Sequence, residues 1–189
     1  MVDTLPLFPL QTVLVPGASL GLRIFETRYL DLVRDCGRNG TGFGICLILD
    51  GDEAGAPAMP AAVGTEARIE DFGTNDGLLM LRVRGGRRFH VRQMQTHGNG
   101  LIVADVDWCE PDPDDELRPE HGLLGSLLQQ VVEQAGGEFA KTPPSRFDDA
   151  AWVGWRLAEL LPLSNPQRQM LLQESDPHAR LDRLLALMP

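Results

Sequence analysis

The chain has 189 residues, 43% of them hydrophobic, which is enough for a real core in one domain or two small ones. Its formal net charge of -10 argues against partners that are polyanions or anionic membranes, and its basic charge is nearly all arginine, Lys141 being the only lysine. Cys36, Cys46 and Cys109 are odd in number, widely spaced and without a CxxC pair, which argues against a disulfide framework and for a reducing cytoplasm.

No apolar run approaches the roughly 20 residues that a membrane span needs. The N-terminus has no basic leader, and Asp3, Pro6 and Pro9 interrupt its apolar stretch. A soluble cytoplasmic chain is the expectation.

Leu5 to Leu10 is apolar and punctuated by proline, a pattern that suits an edge or bulged strand. Pro16-Gly17 marks a turn. Leu20, Leu22 and Ile24 then alternate with Gly21, Arg23 and Phe25, the period of a strand. From Glu26 to Arg38 the spacing of Tyr29, Leu30, Leu32, Val33 and Cys36 predicts a helix, stopped by Gly37 and Gly40. Phe43 to Leu49 reads as a short apolar strand. A strand from Val63 meets Asn75-Asp76-Gly77, a hairpin turn, and returns as Leu78 to Val91 with a bulge or break at Gly85-Gly86. Leu101 to Trp108 is one more strand.

Glu110 to Glu116 (EPDPDDE) reads as a solvated acidic connector. After it the period becomes helical. Leu123, Leu124, Leu127, Leu128, Val131 and Val132 form an apolar stripe that ends at Gly136-Gly137. Ser145 with Asp148 predicts a capping box for a helix through Trp152 and Trp155. Ser164 with Gln167 predicts another, and Asp176-Pro177 opens a last helix. The expected domains are a β-rich unit over 1–110 and a bundle of about four helices over 117–189.

Catalytic patterns are weak. Gly17-Ala18-Ser19-Leu20-Gly21 matches GxSxG, but a turn precedes the serine and a strand follows it, the reverse of a nucleophile elbow. Lys141, the one candidate base for a Ser-Lys dyad, lies in a proline-rich loop that offers little desolvation. Gly40-Thr41-Gly42-Phe43-Gly44 follows a helix and enters a strand, the wrong polarity for a phosphate loop. His90, His97, His121 and His178 are scattered and lack metal-site spacing. No cofactor is expected. Arg82, Arg84, Arg87, Arg88 and Arg92 form the one basic concentration. They could bind phosphates, but the reading preferred is neutralisation of Glu66, Glu70 and Asp71 on the facing strand.

Three blocks carry a family resemblance. The first is Leu5-Pro6-Leu7-Phe8-Pro9-Leu10, Val13 to Gly17, and Leu20 to Leu30 with Ile24-Phe25-Glu26-Thr27-Arg28-Tyr29. The second is Gly64 to Ile69 with Gly85-Gly86-Arg87-Arg88-Phe89. The third is Trp155 to Leu163 with Gln169 to Gln173 and Arg180-Leu181. Together they resemble the N-terminal domain of Lon proteases over almost the whole chain.

The resemblance implies an α+β fold: a PUA-like, six-stranded pseudo-barrel with one inserted helix, followed by helices. It implies a substrate-recognition module for exposed or unfolded protein segments, served by a separate ATPase of the Lon type or another. The sequence ends where the ATPase module would begin, so proteolysis and ATP hydrolysis do not carry over. The candidate substrate-binding residues are Phe8, Phe25, Glu26, Arg28, Tyr29, Arg88 and Phe89. The alternatives are an RNA-binding PUA-like module that uses the Arg82–Arg92 strand and, least favoured, a serine hydrolase through Ser19.

Overall fold

The computed structural model describes residues 2–189, and the chain divides into two compact units, up to Glu110 and from Pro111 to Pro189. The first unit is a seven-stranded sheet with one helix: β1 (Asp3–Leu10), β2 (Ser19–Ile24), α1 (Thr27–Asn39), β3 (Phe43–Asp50), β4 (Met59–Pro60), β5 (Val63–Asn75), β6 (Leu78–Thr96) and β7 (Ile102–Trp108).

The sheet runs β1-β7-β6-β5-β3-β4, and β1 also pairs with β3, so its path returns on itself. β2 lies off this path, on β6. All pairs are antiparallel except β1–β3. The result is a curled sheet and not a clean barrel, with one more strand than the six expected.

β1 departs from the expected simple edge. Asp3–Leu7 pairs with β7 and Leu7–Leu10 pairs with β3. Each half has a partner on one side only, which leaves room for Pro6 and Pro9 to lack N–H donors. Alternation then buries Leu5 and Leu7 with Phe89, Val91, Ile102, Ala104 and Val106 in one core cluster.

The Asn75-Asp76-Gly77 signal is realised as a tight hairpin. Asp76 (φ 51°) and Gly77 (φ 78°) occupy the left-handed conformation that such turns require. β6 does not stop at Val91 as expected. Register shifts opposite Glu66 and near Arg92 bend it, so that it leaves β5 and continues along β7 to Thr96. Gly85 sits at the first bend, where a side chain would collide with the Val15 carbonyl oxygen. Close approach explains glycine there better than φ does.

α1 starts one residue later than the pattern suggests, because Glu26 is its extended N-cap. Gly37 lies inside the helix, and Gly40 (φ 63°) ends it by donating to the Cys36 carbonyl.

The second unit contains α2 (Gly122–Ala135), α3 (Ala150–Leu160), α4 (Asn165–Gln173) and α5 (Pro177–Leu187), with 3-10 turns at Pro119–His121, Gly137–Lys141 and Pro144–Asp148. α2 buries Leu124, Leu128 and Val132, whereas Leu123 is exposed, so its apolar stripe is narrower than expected. The Ser145–Asp148 box does not form. Those residues lie in a 3-10 turn, and Asp149 caps α3 by accepting from Trp152 N–H. Ser164 and Gln167 do form a reciprocal capping box, and Asp176 caps α5 with Pro177 in its first turn.

The acidic connector is not a solvated linker. Asp112 receives both terminal nitrogens of the fully buried Arg180, at 3.0 and 3.2 Å, and the Trp155 indole N–H at 2.7 Å. The Arg180 guanidinium lies 3.6 Å from the Trp155 ring centroid. Asp115 pairs with His178 at 3.0 Å, and the Asp115 carbonyl accepts from Ala150 N–H. These bonds hold residues 112–117 against the helices of their own unit.

Candidate functional site

β1, β2 and α1 meet around a groove of about 350 Å³ in the first unit. Its lining includes Phe8, Leu20, Leu22, Phe25, Glu26, Tyr29 and Glu53. Phe8 projects from the face of β1 opposite to Leu7 and stacks on Tyr29, with ring centroids 3.9 Å apart and planes 23° apart. Both rings are buried, whereas Phe25 is 59% exposed at the end of β2. An exposed phenylalanine beside two buried aromatic rings gives the groove an apolar floor with one apolar rim.

Burial raises the Tyr29 pKa above its ordinary 10.0, and nearby Glu26 and Glu53 add to the rise against the lowering by Arg28. Tyr29 therefore stays neutral through the physiological range. Glu26 is held by Arg28 at 3.1 Å, and Arg28 also donates to the Gly100 carbonyl at 3.0 Å. Arg28 is buried, 4.8 Å from the Tyr29 ring centroid. It supports the groove from behind and does not line it.

The sequence-derived candidates thus separate. Phe8, Phe25, Glu26 and Tyr29 share the groove. Arg88 is buried, and Phe89, wholly excluded from solvent, sits in the core cluster with its ring edge-on to Trp108. Neither lines the groove. Glu53, which does, follows β3 in a stretch without periodicity, so no pattern marks it beforehand. It accepts the Gln11 backbone N–H at 2.7 Å.

The arginine strand is largely committed to carboxylates. Arg84 makes two bonds to Glu70, at 2.8 and 3.2 Å, and Arg87 reaches Glu66 at 3.5 Å. Arg92 pairs with Asp107 at 2.9 Å. Arg87 also lies 3.7 Å from the Trp108 ring centroid. Arg84 and Arg87 thus neutralise Glu70 and Glu66 as expected and Arg92 adds Asp107, whereas Asp71 accepts the Phe72 backbone N–H.

Ser19 opens β2 opposite Arg84, so its setting is turn-to-strand and not the strand-to-helix elbow of a hydrolase. Lys141 is exposed at the end of a 3-10 turn. Among the described residues no group of three or more His, Cys, Asp or Glu side chains could hold a metal ion. No helix among them is long and apolar enough to cross a membrane. Cys46 is pushed up to about 12 by burial, which makes it a core thiol and a poor nucleophile.

The curled sheet with its inserted helix and the helical unit give an α+β fold of two compact units. The chain belongs to the family of the ATP-dependent protease La (LON) substrate-binding domain, whose model matches residues 4–189. It is similar to the Lon N-terminal domain protein from Xanthomonas campestris, at 60% identity and a TM-score of 0.85, with 99% of each chain covered. The N terminal domain of Mycobacterium avium complex Lon protease shares the fold at 18% identity and a TM-score of 0.68, over 97% of each chain.

Proposed function

We propose that this chain binds extended or unfolded segments of protein substrates through the Phe8–Tyr29 groove, without cutting them and without hydrolysing ATP. The observation that carries the reading is an apolar groove beside an exposed Phe25 in a member of a substrate-binding family. Unfolded chains expose the apolar side chains that native surfaces bury, and a groove of this size takes one or two of them. In this reading release or destruction of the substrate falls to a separate ATPase in the cytoplasm. The arginine strand gives less support to RNA binding, since Arg84, Arg87 and Arg92 face carboxylates on neighbouring strands.

The test is titration with a permanently unfolded, reduced and carboxymethylated protein, followed by fluorescence anisotropy. Micromolar binding by the unfolded form and none by its native counterpart is expected. Phe25→Ser should weaken binding about tenfold, the equivalent of losing one large apolar contact. Equal affinity for native and unfolded forms, or none for either, overturns the proposal.

A further inference from the structure

β2 is the strand outside the returning path of the sheet, and among the described residues it pairs only with β6. The alternation of an antiparallel ladder settles which of its backbone groups are used. Gly85 N–H donates to the Ala18 carbonyl at 2.8 Å, so the bonded positions continue at Leu20, Leu22 and Ile24. The N–H and C=O groups of Ser19, Gly21 and Arg23 face the other way. A Cβ built on Gly21 would meet nothing within 4 Å.

The groove lies along this same edge. Consecutive residues from Leu20 to Arg23 all line it, although their side chains alternate between the two faces of the sheet, and β6 contributes nothing to it. A groove that touches four consecutive residues of β2 and none of β6 fits one running along the outer edge of the strand.

We propose that β2 is the docking edge for substrate: an extended segment of another polypeptide adds to it as an antiparallel or parallel strand. Ser19, Gly21 and Arg23 bond its backbone, and one large apolar side chain enters the groove over Phe8 and Tyr29. This rests on the function proposed above and makes it specific.

The occupant follows from chemistry. Unpaired strand N–H and C=O groups are satisfied by an extended backbone, whatever its sequence. The apolar floor selects one side chain, as alternation presents every second residue to the same face. Glu53 and Arg23, both exposed in the groove lining, offset each other and Glu26 is paired with Arg28, so the charge selection comes from the chain's net -10, which favours a neutral or basic segment over an acidic one. A second copy of this chain carries the same -10, which disfavours it as the occupant.

The decisive variant is Gly21→Pro. It deletes the central outward donor and leaves the β6 ladder intact, a setting in which a strand tolerates proline. The probe is a labelled peptide of about nine residues, β-branched and serine-rich, with one central phenylalanine and a lysine at each end. Wild type should bind it, and Gly21→Pro should bind about tenfold more weakly, as for a lost hydrogen bond and its disturbed neighbours. Should Gly21→Pro fail to fold, the same peptide N-methylated on alternate amides gives the readout on wild type, again with about tenfold loss expected.

If Gly21→Pro and the N-methylated peptide both bind as well as their parents, strand addition is overturned. Should the unfolded protein still bind in that case, the broader function stands. If the unfolded protein fails to bind wild type, the broader function falls as well. Self-association of wild type that Gly21→Pro abolishes would assign the edge to a second copy, and would also overturn the proposal.

Discussion

Arg180 shows how one residue organises the helical unit. Its guanidinium is fully buried, yet it meets the Asp112 carboxylate, the Glu174 carbonyl at 2.6 Å and the face of Trp155. A buried charge with this many partners is costly to half-remove, because the carboxylate left behind has no counter-ion. Arg180→Met should therefore destabilise the chain by about 3–5 kcal/mol in urea unfolding. A milder electrostatic effect is expected at Glu174. The Arg183 side chain donates to it at 2.9 Å and holds its carboxyl below the ordinary 4.5. A depressed folded-state value stabilises above the ordinary glutamate range, and that contribution is lost as pH falls through the lower folded value. Glu174→Gln should accordingly narrow the stability difference between pH 6 and acid, and leave the remaining acid sensitivity unchanged. None of the Arg180 cluster can be read from the chain in order. A run of acids flanked by prolines looks solvated by composition, and the arginine that buries Asp112 lies in a helix far along the sequence. The aromatic candidates have the same problem: Phe25 and Tyr29 are similar in a pattern, and only packing makes one a rim and the other a floor.

At the scale of elements, periodicity and turn chemistry carry much further. The alternation of Leu20, Leu22 and Ile24, the Asp76-Gly77 turn and the Ser164–Gln167 box all take the form their local physics demands. Local signals fail where a distant element decides the outcome. Ser145–Asp148 has the letters of a cap, but the chain there hydrogen-bonds to the connector, Leu117 N–H donating to the Asp148 carbonyl at 2.7 Å. That contact, with the Glu116–Asp149 bridge, holds the segment outside α3. The length of β6 is likewise set by two bends and a second partner strand. Gly85 is where this geometry is most exposed to mutation. Its N–H and C=O bond Ala18 and Gly17, both at 2.8 Å, and a methyl group would fall on the Val15 carbonyl. Gly85→Ala should cost about 1–3 kcal/mol by overpacking, measured by thermal unfolding. It should also loosen β2, which hydrogen exchange at Leu20 and Leu22 would register.

For the whole molecule, we propose that the two units are domains in their own right, 1–110 and 111–189, with the acidic connector belonging to the second rather than lying outside a 117–189 bundle. The Arg180 cluster belongs to one and the groove to the other. In Arg180→Met, exchange protection should fall across α2 to α5 while β5, β6 and β7 keep theirs. Uniform loss along the chain would instead mean a single cooperative body.

The pairing of β1 bears on how the chain is made. Its first half bonds to β7, whose residues come about a hundred positions later. At ribosomal rates of about 5–20 residues per second, the first strand waits roughly 5–20 seconds for that partner to be synthesised. Its other partner, β3, emerges much sooner, so the parallel β1–β3 pair can form first. Closure of the sheet is thus a late event in biogenesis. Until it happens, the apolar Leu5–Leu7 half of β1 lacks the partner strand that covers it in the finished fold.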